Sequence, residues 1–507
     1  MASGTGESHI FPVRSGDSFK VMSVLRNRWL QLSVLTAFFA GIGINALRLK
    51  YCVIDFDLWW HLKVGGWIVQ HFDVPHTGIL SRTAAERPWV AYSWGYEVLL
   101  SRAYAWFGLI GVGVFGTLLT MGVAFCAYWM LLRLSGRFWL SAILAWIVVA
   151  AFLFNGMPRP VFFSQMLYGV TLALLLEAQR SGNVKLLYWL PPLMLLWANL
   201  HIQFIYGLFA VGLFVVVHLL HRILGLTRHR PRFFKPAPLP LKPLLVTLAL
   251  CVLATIIGPN FYRSYLAVLA YTKAKIAYNI IMELQPLSFR GPSNFLELFL
   301  AAGGFYAIGW QRKIDLFKLL LLVVASIVAF RTMRDGWFLC FSAGACIADL
   351  PAPPAQVDRA PSWTELVATA CALAVILLIA GPLVNFNVRG IDRAISADYP
   401  VNAVNFLRRN GFSGPLYNNL NWGGFLMWYL PELPVAVDGR NDLYGDDLDK
   451  IFYNSQSAFP SYVTDPYLDE SRLVILDSTL PLAKILTIDR RFRLVYRDDI
   501  ATVYMHN

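Results

Sequence analysis

Two aspartates one residue apart, Asp55 and Asp57, open the segment DFDLWWHLKVGGWIVQ directly after a long apolar run. A carboxylate at the point where a chain leaves lipid avoids the roughly 2.5–3.5 kcal/mol that insertion at a span centre costs, yet keeps one low-dielectric wall. Such a group can take a proton from a hydroxyl or hold a divalent cation through its oxygens. It can equally cap the amphipathic helix that follows, because Asp is a favoured N-cap. His61 lies one helical turn beyond Asp57, on the same face, where a lone histidine reads first as a hydrogen-bonded structural residue. Trp59, Trp60 and Trp67 fit an interfacial aromatic belt and need no catalytic role.

The remaining polar groups of interest fall at similar places. Glu97 stands in YSWGYEVLL, where a negative residue suits the start of a helix. Arg159 lies in NGMPRP between two apolar runs, and Asn199, His201 and Gln203 form the turn in WANLHIQF. Glu283 is in MELQP, and Arg331 and Arg334 are in FRTMRDG. Singly, each has an ordinary explanation as a cap, a snorkelling arginine or a satisfied turn. Jointly they mark the outer ends of several helices, and polar groups converging on one rim read as a site.

The elements that must position them are membrane helices. Apolar residues make up 57% of the 507 residues and charged residues only 14%, against about 25% charged in soluble domains; the mean hydropathy is +0.55. Apolar runs able to cross about 30 Å of hydrocarbon recur near 29–49, 106–133, 138–155, 160–178, 184–200, 202–222, 243–258, 294–311, 315–331, 335–350 and 363–384, roughly eleven spans by hydropathy. The net charge of +13 is spread in short clusters between these runs, which is the pattern of topology signals and excludes a nucleic-acid stripe. Arg26 and Arg28, Arg133 and Arg137, Arg180 and Lys185, the basic stretch 221–242, and Arg312, Lys313 and Lys318 all fall on one side if the spans alternate. The positive-inside rule makes that side cytoplasmic. Loop 50–105, loop 259–293 and everything after Val384 then face outward.

Domain boundaries follow: a cytoplasmic tail over 1–28 without signal-peptide character, a transmembrane region over 29–385 with its long first outer loop at 50–105, and an extracytoplasmic part over 386–507. In that last part Pro400 and Gly411 bracket a short helix. The runs PLYN, PVAVD, RLVILD, FRLVY and ATVYM read as strands, giving a small α/β domain. PAPPAQVDRAPS reads as a cytoplasmic linker. The six cysteines show no CxxC or Cys/His ligand spacing and read as small buried hydrophobes.

DFDLWWHLKVGGWIVQ, RPWVAYSWGYEVLL, WANLHIQF and FRTMRD, taken in that order, resemble the bacterial branch of the GT-C glycosyltransferase superfamily, and YPVNAVNFL, NWGGFLMWYLP and VDGRNDLYGDD are similar to the outer domain of its uncharacterised members. The resemblance implies a polytopic GT-C-like fold in the inner membrane of a bacterium. It also implies a donor sugar on a polyprenyl phosphate and a glycan, lipid or protein acceptor. On that basis Asp55, Asp57 and Glu97 are the catalytic candidates, with Asp55 and Asp57 as ligands if a divalent cation such as magnesium or manganese is used. Arg331, Arg334 and Arg159 are the candidates for the donor phosphate, and His61, His201, Asn199 and Glu283 are supporting residues. Inversion at the anomeric carbon is the outcome the family implies. The chain lacks the Asn-His-Glu-like run of many relatives, carrying AYSWGYE instead, and it lacks the WWD-type signature of oligosaccharyltransferases. Two other classes stay open on sequence: a lipid or polysaccharide flippase, which favours mid-span charges and inverted repeats, and a non-catalytic lipid-binding scaffold.

Overall fold

Within the described residues, every apolar run marked off above is helical. The computed structural model describes residues 27–48, 53–152, 157, 159–225, 234, 239–351 and 362–507. The expected tail, most of the basic stretch 221–242, nearly all of the linker and Cys52 lie outside the described residues.

The bundle comprises α1 (Arg28–Leu47), α2 (Phe56–His71), α3 (Trp94–Ser135), α4 (Phe138–Phe152), α5 (Val161–Ser181), α6 (Leu190–Leu200), α7 (Phe204–Gly225), α8 (Leu241–Ile256), α9 (Arg263–Lys273), α10 (Ile276–Ile280), α11 (Pro292–Gly309), α12 (Leu316–Arg331), α13 (Gly336–Ala348) and α14 (Trp363–Leu383). Five of these, α1, α3, α5, α7 and α14, are long and apolar enough to cross a membrane on their own. The others are shorter or less apolar. α14 presents Leu378 and Leu383 more than three-quarters exposed, an apolar surface that lipid, not water, would cover. Local signals set the helix ends: Asn27, Asp315 and Ser362 cap α1, α12 and α14. Gly136 and Gly182 terminate α3 and α5 in the left-handed conformation.

Contacts between chain segments gather at the two ends of the bundle. At one end Arg28 pairs with Glu365, Arg133 with Glu177, Gln179 Nε2 donates to Asp315, and Phe234 bridges Ile314. Lys318 departs from the reading as an exposed topology marker. It is 1% exposed and ion-paired with Asp349, because the first turn of α12 packs inside the bundle rather than at its edge.

The opposite end carries the chain's polar business. There the C-terminal part forms α15 (Val388–Asp398), α16 (Val401–Arg409), α17 (Gly423–Tyr429), α18 (Asn441–Gln456), α19 (Pro466–Asp469), α20 (Pro481–Ile485) and a sheet of β1 (Leu416–Asn418), β2 (Leu473–Asp477), β3 (Phe492–Arg497) and β4 (Ala501–His506). Sheet order is β1-β2-β4-β3, with β1 parallel to β2 and the other pairs antiparallel. Four of the five expected strands are present. PVAVD is not one of them. Its Val435 bridges Ser81 of the first outer loop, Arg82 N–H donates to Val435 O at 2.8 Å, and Ala436 N–H and Val437 O bond to the Asn418 side chain, so its backbone is divided between that loop and a side chain of β1 and joins no strand ladder.

The first loop therefore docks on the C-terminal part as one body. Arg87 donates to Tyr444 O and Asp447, and Trp89 Nε1 to Asp442 at 2.9 Å. Loop 259–293 joins through Lys275 and Ile276 N–H groups that donate to Asp446. All three segments expected to face one side are thus in mutual contact.

Close helix contact at this end depends on glycine. A Cβ on Gly65 would lie 2.0 Å from Glu97 O, whereas one on neighbouring Gly66 would meet nothing nearer than 3.9 Å. Gly65→Ala is expected to lose roughly 1–3 kcal/mol by overpacking α2 against α3. Gly66→Ala is expected to gain up to about 1 kcal/mol from helix propensity. Thermal unfolding of the two purified variants, side by side, checks the contrast.

Candidate active site

Asp55 does cap α2: its Oδ1 accepts the Asp57 N–H at 3.1 Å. It also has a second task. Arg159, just before α5, grips it with a two-pronged guanidinium, Nε to Oδ2 and Nη2 to Oδ1, both at 2.8 Å. The same guanidinium reaches Asp57 Oδ2 at 3.4 Å and Glu283 Oε1 at 3.1 Å. One cation thereby ties together three carboxylates from two separate stretches of chain.

The two aspartates end up in different states. Asp55 is 4% exposed. Burial alone would raise its pKa, but the Arg159 charge and hydrogen bonds outweigh it and hold the carboxyl below the ordinary 3.8. Asp57 keeps about a quarter of its side chain exposed. Its pKa is raised, by burial first and by the neighbouring Asp55 charge, against the opposing pull of Arg159, His61 and a Trp60 hydrogen bond. Trp60 Nε1 donates to Asp57 Oδ1 at 3.0 Å. Of the two aspartates, Asp57 is the more exposed.

Glu97 and His61 sit behind this pair. His61 Nδ1 and Glu97 Oε1 are 3.2 Å apart, both nearly inaccessible, and Glu97 Oε2 is buried without a hydrogen-bond partner. They support the underside of α2 and do not open on the rim. Asn199 and His201 are also structural in setting. Asn199 receives Trp94 Nε1 at 3.0 Å and donates to Leu195 O and Ile257 O, clamping three helix ends. His201 pairs with Ser164, which also accepts Trp197 Nε1. Burial, then repulsion from Arg334 and His61, lowers its pKa well below 6.5, so it is neutral at physiological pH.

Backbone pairing brings the expected arginines alongside. Leu287 N–H donates to Phe330 O at 3.3 Å and Met333 N–H to Gln285 O at 3.0 Å, which sets the Glu283 turn beside Arg331 and Arg334. Arg334 donates to Tyr271 Oη at 2.6 Å and lies over that ring; Arg331 lies over Tyr278. Among the described residues neither arginine has a carboxylate in ion-pair contact. Arg334 is held charged most strongly by Tyr271, with Glu283 and Tyr92 adding to the effect against burial.

Tyr92, Tyr271, Asp335 and Asp442 are rim residues that the sequence reading left unassigned. Tyr92 is half-buried among Asp442, Tyr271, Arg334 and Asp57, and burial raises its pKa well above 10. Asp335 accepts from Gln203 and Thr332. Asp442 had a signal in its acidic run, DGRNDLYGDD; Tyr271 had none, being one of many tyrosines in apolar surroundings.

The NWGG and DGR segments of the C-terminal part act as packing devices. A Cβ on Gly424 would approach Trp60 N to 3.0 Å, one on Gly423 would sit 2.1 Å from Val437 O, and one on Gly439 would sit 2.2 Å from Asp57 Oδ1. Asp438 and Arg440 form a fully buried pair with each other. The DGR backbone thus forms part of the wall around Asp57.

The oxygens bear on a divalent cation as well. Both Asp55 oxygens are occupied by the Arg159 fork, and the Asp57 oxygens by Trp60 and Arg159. Among the described residues no group of three His, Cys, Asp or Glu side chains is arranged to hold a metal ion. In this arrangement the acidic pair does not fit a metal, since the guanidinium stands where the ion would be.

No protein-family profile matches the chain, and no curated protein matches it by sequence. Among solved structures it is similar to the archaeal oligosaccharyltransferase AglB from Archaeoglobus fulgidus, solved with an inhibitory peptide and a dolichol-phosphate. That likeness has a TM-score of 0.52 at 12% identity, covering 89% of this chain and 69% of that one. ArnT from Cupriavidus metallidurans, bound to undecaprenyl phosphate, gives 0.47 at 13% identity over 92% of this chain and 97% of that one. An Archaeoglobus fulgidus oligosaccharyltransferase complex with Zn and sulfate gives 0.49 at 11% identity, covering 93% and 73%. The AglB likeness is one of fold, and it is the fold that the ordered motifs implied.

Proposed function

We propose that this chain is a membrane glycosyltransferase that moves a sugar from a polyprenyl-phosphate donor to a hydroxyl of a glycan, lipid or protein acceptor, at the outer face of a bacterial inner membrane. One observation carries the reading. A partly exposed carboxylate, Asp57, shares a rim with two arginines that have no carboxylate in ion-pair contact among the described residues, at the end of a helical bundle similar in fold to a membrane oligosaccharyltransferase.

The chemistry follows from those groups. Asp57 takes the proton of the acceptor hydroxyl as its oxygen attacks the anomeric carbon. The bond from that carbon to the phosphate oxygen breaks through an oxocarbenium-like state, and the lipid phosphate leaves with the electron pair. Phosphate is already a good leaving group, so the protein's main task is to receive its charge. Arg334 and Arg331 do this with planar forks that match phosphate oxygens. Attack from the side opposite the phosphate inverts the configuration. Residues 386–507 cover the rim and complete the wall around Asp57.

The test is transfer by purified protein in lipid nanodiscs from a panel of polyprenyl-phosphate sugars. Arg334→Ala is expected to cut kcat by about 10²–10³, the usual cost of losing a donor aimed at developing charge, with Arg334→Lys recovering part of it. Lipid binding without transfer from any donor would replace this reading by the scaffold; movement of an intact lipid-linked sugar across the bilayer would replace it by the flippase.

A further inference from the structure

Two neighbouring carboxylates in a half-buried site resist being charged together unless a positive charge lies beside them. Here the cation is covalently part of the chain. Arg159 meets Asp55 through two hydrogen bonds of 2.8 Å, Asp57 at 3.4 Å and Glu283 at 3.1 Å. The directions matter as much as the distances. Nε and Nη2 face the two Asp55 oxygens, Nη2 also turns to Asp57, and Nη1 is spent on Glu283. An oxygen engaged by a guanidinium fork keeps a second lone pair, but an ion approaching it meets the guanidinium charge at once, and small divalent ions demand several oxygens at about 2.0–2.6 Å. A metal entering this rim would have to displace Arg159 first, against three carboxylate contacts made at once.

We infer that Arg159 is a resident cation that takes the place of a divalent metal between Asp55, Asp57 and Glu283, so that the native rim binds no divalent ion, and that removing the guanidinium uncovers a carboxylate site able to bind one. Arg159 is then a positioning residue rather than a group for the donor phosphate: its Nε, Nη1 and Nη2 are all turned toward the protein's own acids, leaving Arg331 and Arg334 for substrate. The inference concerns the same rim as the proposed transfer reaction, but its first test is independent of that reaction.

The experiment measures Mn²⁺ binding to full-length protein in nanodiscs by electron paramagnetic resonance, for wild type, Arg159→Ala, Arg159→Gln and Arg159→Lys. Arg159→Ala and Arg159→Gln are expected to bind Mn²⁺ at least about tenfold more tightly than wild type, a difference of about 1.4 kcal/mol. Adding Asp55→Asn should abolish the gain. Arg159→Lys, which keeps a point charge, should stay close to wild type. Arg159→Gln keeps an amide that can still donate to Asp55, so it serves if Arg159→Ala does not fold. Wild-type binding that disappears with Asp55→Asn would overturn the inference, as would Arg159→Gln binding no better than wild type. Where a sugar donor is found, wild-type transfer should survive EDTA; loss of transfer with restoration by Mn²⁺ would overturn the inference while leaving the transferase reading intact.

Discussion

Asp57→Asn is expected to lower sugar transfer by about 10²–10⁴-fold, the range spanned by a general base, while leaving the protein folded and donor binding nearly unchanged. The amide can still accept from Trp60 Nε1, which holds Asp57 at 3.0 Å, so the side chain keeps its place and loses only its basicity. Asp55→Asn should act differently. It frees one side of Arg159 and lets the guanidinium drift, so KM and stability change along with kcat. The pH profile separates the two further. Asp57 faces Arg159, Asp55, His61 and Trp60, and burial with the Asp55 charge sets its pKa above 3.8. A base works only when deprotonated, so the rate falls on the acid side, with a midpoint above 3.8. Arg159→Gln removes the cation that favours the charged form, so the acid limb should move to higher pH. Asp57→Asn should abolish that limb altogether. Full turnover by Asp57→Asn, or an acid limb unmoved in Arg159→Gln, would remove Asp57 from the role of base.

Which of the two aspartates is the more exposed was not legible in the sequence. Both lie beside the same helix start and both suit an N-cap. The distinction comes from Arg159, 104 residues further on, which saturates one and only brushes the other. The same long-range dependence decides the fate of PVAVD, whose alternation is good strand signal but whose backbone partners lie in loop 50–105 and on the Asn418 side chain, and of Lys318, whose charge reads as a surface marker until Asp349 is seen beside it. Features that a short window determines came through well: the apolar runs as helices, the Asp55 cap, and the bracket of Pro400 and Gly411 around α16. The convergence of Asp55, Arg159, Glu283 and Arg334 was legible only as a shared position at helix ends. Sidedness put them on one rim, but which group pairs with which is set by tertiary packing, and no sequence spacing encodes it.

Asp438→Asn is expected to destabilise the C-terminal part by about 3–5 kcal/mol, the cost of stranding one member of a buried ion pair. Asp438 and Arg440 have no exposed side-chain surface. Both prongs of their fork are 2.8 Å long, and Asp438 also accepts from Tyr444 Oη at 2.6 Å. Arg440 lies 4.8 Å from the Trp89 ring centroid and leaves Nη1 buried without a hydrogen-bond partner, so its balance already depends on Asp438. Neutralising that carboxylate leaves a guanidinium in a dry interior, against a total stability that for a typical domain is about 5–15 kcal/mol. Removing both charges should cost far less, because replacing a buried pair by apolar groups is often close to neutral; Asp438→Asn with Arg440→Met is therefore expected to be more stable than Asp438→Asn alone. Thermal unfolding, together with hydrogen exchange over residues 435–456, reads both outcomes. The consequence reaches the rim, because the peptide between the paired residues belongs to Gly439, against which Asp57 rests. Exchange should therefore rise at Asp57 and Trp60 in the single variant and return toward wild type in the double. Equal destabilisation by the single and double changes would mean that the pair is not what holds this wall in place.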